Sequence, residues 1–247
     1  METKEQLQEN LYHFPYHHLT HEKNGGIYIF RHLFWGLEHY TYIKFVIDNI
    51  IKHQPKNLVD IGCGEGRIIS EIKPHLVEST LYGYDISDAA IRFARAFIPN
   101  VEFNTHNIVV NPLEKVFDNA VSCEVIEHIK PEEVDNYCKN IANSLTQNGT
   151  FFLTTPTTNI PTSLKHYQHF TRELLEKHLS PYFEIDEVRY LNVVNWRSKL
   201  LNRLIANKFY LSNSPILNRW VLNQYKTKLL IGTEKTGSRI FIRARKK

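Results

Sequence analysis

Strand-like and helix-like stretches alternate along this chain. Leu58-Val59-Asp60-Ile61 is a short apolar run of the kind a sheet buries on both faces, and residues 80–85, 101–106 and 117–128 supply further runs. A fifth run starts at Thr150 after Gln147-Asn148-Gly149, and two late ones cover 183–191 and 239–245. Between them the pattern predicts helices over 66–73, 87–98, 131–145 and 171–179. Pro74 limits the first and Ser87 is placed to cap the second. The third opens on Pro131 with Glu132 and Glu133, as the helix dipole favours. The alternation predicts an α/β fold: a doubly wound, Rossmann-like sheet of seven mostly parallel strands with helices on both faces. In such a sheet ligands bind at the carboxyl ends of the strands, where Asp60, Asp85, Asn107 and Glu124 fall.

Composition fits this picture. With 247 residues and a formal net charge of +4, the chain suits one α/β domain with a sizeable core, and its overall charge is too modest to decide a partner. Cys63, Cys123 and Cys138 are odd in number and lack C-x-x-C spacing, which points to buried thiols in a reducing compartment. The polar start Met1-Glu2-Thr3-Lys4-Glu5-Gln6 has no apolar signal core, and no run approaches a membrane span. A cytoplasmic protein is expected.

The sharpest local signal is Asp60-Ile61-Gly62-Cys63-Gly64-Glu65-Gly66. A strand, a tight glycine loop and a helix start let backbone approach a nucleotide-like ligand. A dinucleotide would call for G-x-G-x-x-G with its pyrophosphate on the helix dipole. Here the spacing is G-x-G-x-G, and an acid at its mouth repels a pyrophosphate but suits a cationic ligand with an amino group. The loop resembles the first motif of the class I S-adenosylmethionine-dependent methyltransferases, which holds the methionine part of that cofactor. The resemblance implies that Asp60, Gly62, Cys63, Gly64 and Gly66 face S-adenosylmethionine. Asp85, followed by Ile86, ends the second strand where a carboxylate accepts both ribose hydroxyls. Asn107-Ile108 stands where the family usually has Asp and an apolar residue, and the Asn107 amide oxygen is expected to accept from the adenine amino group. Glu124 and Val125 lie in a stretch very like the fourth motif. The resemblance spans 57–191 and the final strand, and it implies that this last strand is antiparallel.

Two regions outside the shared core are expected to choose the acceptor. The aromatic and histidine-rich stretch 11–53 suits a lid or acceptor wall, though much of 34–51 is ordinary helix core. His17, His18 and His21 are expected to cap, pack or face solvent rather than bind metal. Residues 188–233 contain no Asp or Glu and eight Lys or Arg, with two apolar stripes at helical spacing. They predict a basic helical insertion that is packed, or meets an anionic membrane as a peripheral contact, or walls a phosphorylated acceptor. The single domain thus divides into a lid segment (1–56), the cofactor-binding core (57–191), the insertion (192–233) and the final strand (234–247).

Methyl transfer from a sulfonium needs in-line alignment and removal of one proton. His128, just after the fourth strand, is the best-placed base, with His166 and His169 next. His166-x-x-x-Phe170-Thr171-x-x-x-Leu175 resembles a stretch near the acceptor in O-methyltransferases of this class. Glu124-x-x-Glu127-His128 can place two carboxylates and an imidazole on one face, a set suited to magnesium, manganese or zinc. It resembles the E-x-x-E-H of metal-assisted ubiquinone-pathway O-methyltransferases and of small-RNA ribose 2′-O-methyltransferases, where a downstream histidine completes the site. Metal-free relatives carry the same residues as pocket lining. The leading expectation is therefore O-methylation of a small-molecule, glycan or lipid-linked acceptor. RNA ribose methylation ranks behind it, because aromatic RNA-binding patterns are absent, and a catalytically silent S-adenosylmethionine-binding protein ranks third.

Overall fold

Neighbouring residues of the central strands bury themselves in opposite directions. Val59 and Ile61, Ala120, Phe151 and Leu153, Ile240 and Ile242 join one core cluster; Leu58, Val121, Phe152 and Phe241 join another. A strand alternates its side chains, so apolar residues at every position demand a sheet covered on both faces. The computed structural model describes residues 3–13, 21–23, 26–28, 33–205, 212 and 214–247. The expectations for His17, His18 and the side chain of His21, and for residues 206–211 and 213 of the insertion, lie outside the described residues.

The sheet contains β3 (Asn57–Ile61), β4 (Thr80–Asp85), β5 (Glu102–Thr105), β6 (Phe117–Cys123), β7 (Leu145–Pro156), β8 (Phe183–Val193), β9 (Ile231–Gly232) and β10 (Gly237–Lys246). Their order is β5-β4-β3-β6-β7-β10-β8-β9, with β10 antiparallel to both β7 and β8. A small antiparallel pair, β1 (His21–Lys23) and β2 (Gly26–Tyr28), lies apart from it. The main sheet therefore has eight strands where seven were expected. The addition is β9, a two-residue edge strand that ends the helical insertion by pairing with Tyr190 and Leu191 of β8. So short a ladder leaves no periodicity to read.

Helices α2 (Leu33–His53), α3 (Arg67–Ile72) and α4 (Asp88–Phe97) supply one face of the core, and α5 (Val134–Asn143) and α6 (Arg172–Leu179) the other. Ser87 and Thr171 cap α4 and α6 by accepting the N–H of Ala90 and Leu174, as their side chains allow. The helix expected over 131–145 is shorter. Pro131–Glu133 forms a 3-10 turn before α5, and Leu145 already belongs to β7. Among the described residues no helix is long and apolar enough to cross a membrane.

The strand order reverses beside β3: the chain runs outward through β4 and β5, then returns to place β6 on the other side. The carboxyl ends of β3 and β6 flank the resulting crevice, the usual ligand position in such sheets.

Candidate active site

A cavity of about 350 Å³ opens at that crevice. Its floor is the loop after β3. Gly62, Gly64 and Gly66 all have positive φ (74°, 53° and 79°), a region open to glycine and strained for other residues. Space is short as well, since a Cβ on Gly62 would lie 2.3 Å from Cγ2 of Val125. The N–H groups of Gly62 and Cys63 both donate to Tyr84 O (2.7 and 3.0 Å), and Gly64 N–H donates to Asp85 Oδ2 at 2.8 Å. These bonds tie the loop to the end of β4 and hold its concave side bare.

Asp60 lines the cavity beside this cradle. It is 1 % exposed, and its Oδ2 is buried without a hydrogen-bond partner. Burial, then the charge of Asp85, pushes its pKa up to about 8. A lone buried carboxyl oxygen next to a glycine cradle fits the amino group of S-adenosylmethionine. A cation there restores the ionised form, so cofactor binding near pH 7 is expected to release a proton from Asp60. Calorimetry in buffers of different ionisation enthalpy should show that release in the wild type and not in Asp60→Asn. Affinity should fall as pH drops below about 8; a pH-independent affinity would contradict this assignment.

The far wall carries one buried acid, one half-buried acid and one arginine. Glu124, at the end of β6, adopts φ 58°, which turns its side chain toward Arg239 of β10. Arg239 Nε donates to Glu124 Oε2 at 2.6 Å, and the guanidinium packs 5.4 Å from the ring centre of Tyr42. Burial raises the pKa of Glu124 and Arg239 partly offsets that rise. Glu127 is fully buried; Thr155 Oγ1 donates to its Oε2 at 3.1 Å, while Oε1 has no partner. Burial, then the charge of Glu124, holds Glu127 well above the usual carboxylate range.

Three histidines complete the wall. His128 Nδ1 lies 3.1 Å from Lys165 O, and His169 Nδ1 lies 3.1 Å from Ile160 O. Carbonyl oxygens only accept, so both Nδ1 atoms carry the hydrogen. His169 Nε2 then accepts from His166 Nδ1 at 2.8 Å. Nε2 of His128 and of His166 are left with lone pairs. Burial lowers the pKa of His128 to about 4 and that of His166 to about 3, and it lowers His169 too. All three are neutral at pH 7. The rings of His128 and His166 meet edge-on, 4.8 Å apart.

The segment that carries His166 is tied to α1 (Lys4–Glu9). Lys4 Nζ donates to Leu164 O and His166 O (2.9 and 2.6 Å), Tyr167 OH donates to Glu5 Oε1 (2.6 Å), and Gln8 and Tyr12 line the cavity. Cavity-lining residues thus begin upstream of the expected stretch 11–53. From within that stretch, His39 and Tyr42 of α2 also reach the cavity.

Other expected residues fall elsewhere. Gly66, Asp85, Ile86, Asn107, Ile108 and Val125 are not among the cavity walls. Asp85 accepts from Gly64 N–H and Ser87 N–H. Ile86 is exposed at the same strand end. The Asn107 amide oxygen accepts Val109 N–H at 3.0 Å and closes a local turn. Ile108 is buried in the core, and Val125 packs against Gly62. Cys63 is a buried free thiol, and Cys123 a half-buried one that lines the cavity. Glu124-x-x-Glu127-His128 does not form one helical face, because Glu124 is left-handed and only Ile126–His128 form a 3-10 turn. One ligand atom each from Glu127, His128 and His166 lies within 4.8 Å of the others, with Glu124 outside the group. Arg239 and Lys4 were missed. The run 239–245 reads only as a strand, and no local pattern marks which of its cations meets the acids.

Fold and site together define a domain of the S-adenosylmethionine-dependent methyltransferase type. The chain belongs to the methyltransferase-domain family, whose model matches residues 34–192. It is 30 % identical over 83 residues to a candidate methyltransferase, 235L of Invertebrate iridescent virus 6, covering 34 % of this chain and 31 % of that protein. The structure resembles TehB from Haemophilus influenzae with TM-score 0.58 at 16 % identity, over 83 % of this chain and 62 % of TehB. It also resembles Haemonchus contortus phosphoethanolamine N-methyltransferase 2, solved with S-adenosylmethionine, with TM-score 0.57 at 17 % identity, over 86 % of this chain and 57 % of that one. At these identities the structural likeness shows the fold alone. The chain spans about a third of the viral relative and under two thirds of TehB.

Proposed function

We propose that this protein transfers the methyl group of S-adenosylmethionine to a hydroxyl of a small-molecule, glycan or lipid-linked acceptor. The observation that carries the proposal is one cavity with a bare carboxyl and glycine cradle on one side and two unprotonated imidazole nitrogens on the other. The cofactor, when bound, supplies a methyl group already activated on a sulfonium. The glycine loop and Asp60 hold its amino acid end. Nε2 of His128 or His166 would take the acceptor's proton as the oxygen–carbon bond forms and the sulfonium's methyl–sulfur bond breaks, the sulfur keeping that electron pair and leaving as the neutral thioether, and His169 fixes the orientation of His166.

Turnover with labelled S-adenosylmethionine and a metabolite extract, followed by identification of the product, tests this reading. His128→Ala and His166→Ala are expected to lower turnover by roughly 10²–10⁴-fold, the worth of a positioned base, with cofactor affinity nearly unchanged. Full activity in both variants would remove the proposed base. Product analysis separates an O–CH3 from the N–CH3 that a phosphoethanolamine-type amine would give. Labelled product from RNA alone would favour the ribose reading, and cofactor binding without any product the silent one.

A divalent metal is a second reading, favoured by the grouping of Glu127, His128 and His166. Each histidine presents Nε2 while its other nitrogen is held by a carbonyl or a second imidazole, the arrangement typical of metal-bound histidine. Activity lost in a chelator and restored by magnesium, manganese or zinc selects the metal. Activity that survives the chelator selects the imidazole base.

A further inference from the structure

Helix α7 (Trp196–Ile205) has two apolar stripes, and the protein packs only one. Leu201 and Ile205 are buried in a cluster with Leu37 and Tyr40 of α2 and Val221 and Leu222 of α8 (Pro215–Gln224). The other stripe, Trp196, Leu200 and Leu204 at one-turn spacing, is 68 %, 48 % and 41 % exposed. Helix α8 adds Ile216 and Trp220, which are 83 % and 48 % exposed. Beside these side chains Arg197, Lys199 and Lys228 are exposed. The Arg197 guanidinium lies over the Trp196 ring at 5.4 Å.

We propose that this α7–α8 surface docks on an anionic lipid bilayer. Trp196 and Trp220 would sit at headgroup depth, where the indole's apolar body and polar N–H are both satisfied, with Leu200, Leu204 and Ile216 reaching the acyl boundary. The arginines and lysines meet lipid phosphates. Charge decides against a second copy of the chain: a two-fold contact sets the same patch against itself, cation on cation. RNA would answer the cations but offers the aliphatic side chains nothing to bury against. The position is functional, because Tyr40 packs under this surface while His39 and Tyr42 of the same helix line the catalytic cavity. Docking brings the cavity within one helix of the bilayer, where a lipid-linked acceptor would be presented. That last consequence rests on the proposed methyl transfer; the docking itself does not.

Co-sedimentation of the full chain with phosphatidylcholine vesicles, with and without phosphatidylglycerol, tests the proposal. Expected are binding only to the anionic vesicles, loss of binding as salt rises, and a blue shift of tryptophan emission. Arg197→Gln with Lys199→Gln and Lys228→Gln should weaken binding on the order of 100-fold, at roughly fivefold per charge removed. Trp196→Ala with Trp220→Ala should abolish the blue shift of the bound state; both residues are exposed, so circular dichroism should match the wild type. No binding to anionic vesicles at low salt would overturn the proposal, as would binding that both variants leave intact. Burial of the two tryptophans by self-association, seen in sedimentation without lipid, would also overturn it, as would RNA binding that these variants abolish while vesicle binding is absent. Cofactor affinity, measured separately by calorimetry, reports on the methyltransferase reading and is expected to be the same in every variant.

Discussion

Gly62→Ala is expected to abolish detectable S-adenosylmethionine binding and to destabilise the fold. Two costs combine. A non-glycine residue at φ 74° costs about 1–2 kcal/mol in the left-handed region. The added Cβ would also stand 2.3 Å from Val125 Cγ2, a methyl on a β-branched side chain that has little freedom to swing aside. Relieving that overlap costs roughly another 1–3 kcal/mol. The least costly relief is movement of the loop away from Val125, which breaks the paired bonds from Gly62 and Cys63 to Tyr84 O and disorders the cradle. Urea denaturation should show the lower midpoint and calorimetry the lost heat of binding. Wild-type affinity in this variant would separate the glycine cradle from the cofactor.

Arg239→Met is expected to be the most destabilising single change at the site. Arg239 is paired with Glu124 at 2.6 Å, and Glu127 lies fully buried nearby. Burial alone would lower the arginine's pKa, but Glu124, Tyr42 and Glu127 more than reverse this, so the guanidinium stays charged. Without it Glu124 loses its ion-pair partner and the two carboxyls keep only the field of Lys165, at a cost of about 3–5 kcal/mol. The sign with pH is fixed. Loss of Arg239 raises the folded-state pKa of both acids further above their unfolded values, so the folded variant binds more protons than the unfolded chain. Stability is therefore greatest at acidic pH and is lost as pH rises through the raised values. Urea midpoints should show a larger penalty at pH 7 than at pH 5. Adding Glu124→Gln should recover part of the loss, and the double-mutant cycle measures the coupling. A penalty that is the same at both pH values would show that packing against Tyr42, rather than charge, is what Arg239 contributes.

The chelator experiment and these two variants probe different atoms of one wall. Arg239 and Glu124 set its charge, whereas His128 and His166 present the lone pairs. A variant that keeps its fold and its cofactor but loses turnover points to the second pair.

Much of the fold was legible in the sequence because it is written in local spacing. The strand over 80–85 and the cap at Ser87 follow from alternation and from the short range of a capping hydroxyl. So does α6 behind Thr171. The glycine loop is equally local: Asp60, Gly62, Gly64 and Gly66 share one turn of chain, so their spacing already states what they can hold. Tertiary structure alone decided the far wall of the cavity. Arg239 reaches Glu124 across 115 residues, and Lys4 reaches the His166 carbonyl across 162. Glu124 was read as one face of a helix, yet its left-handed backbone turns it away and His166 joins Glu127 and His128 instead. Periodicity tells which side of an element faces inward. It carries no record of which charges, brought together when the sheet closes, must satisfy one another in a dry interior, because that is settled by distance in space and by the cost of leaving them unpaired.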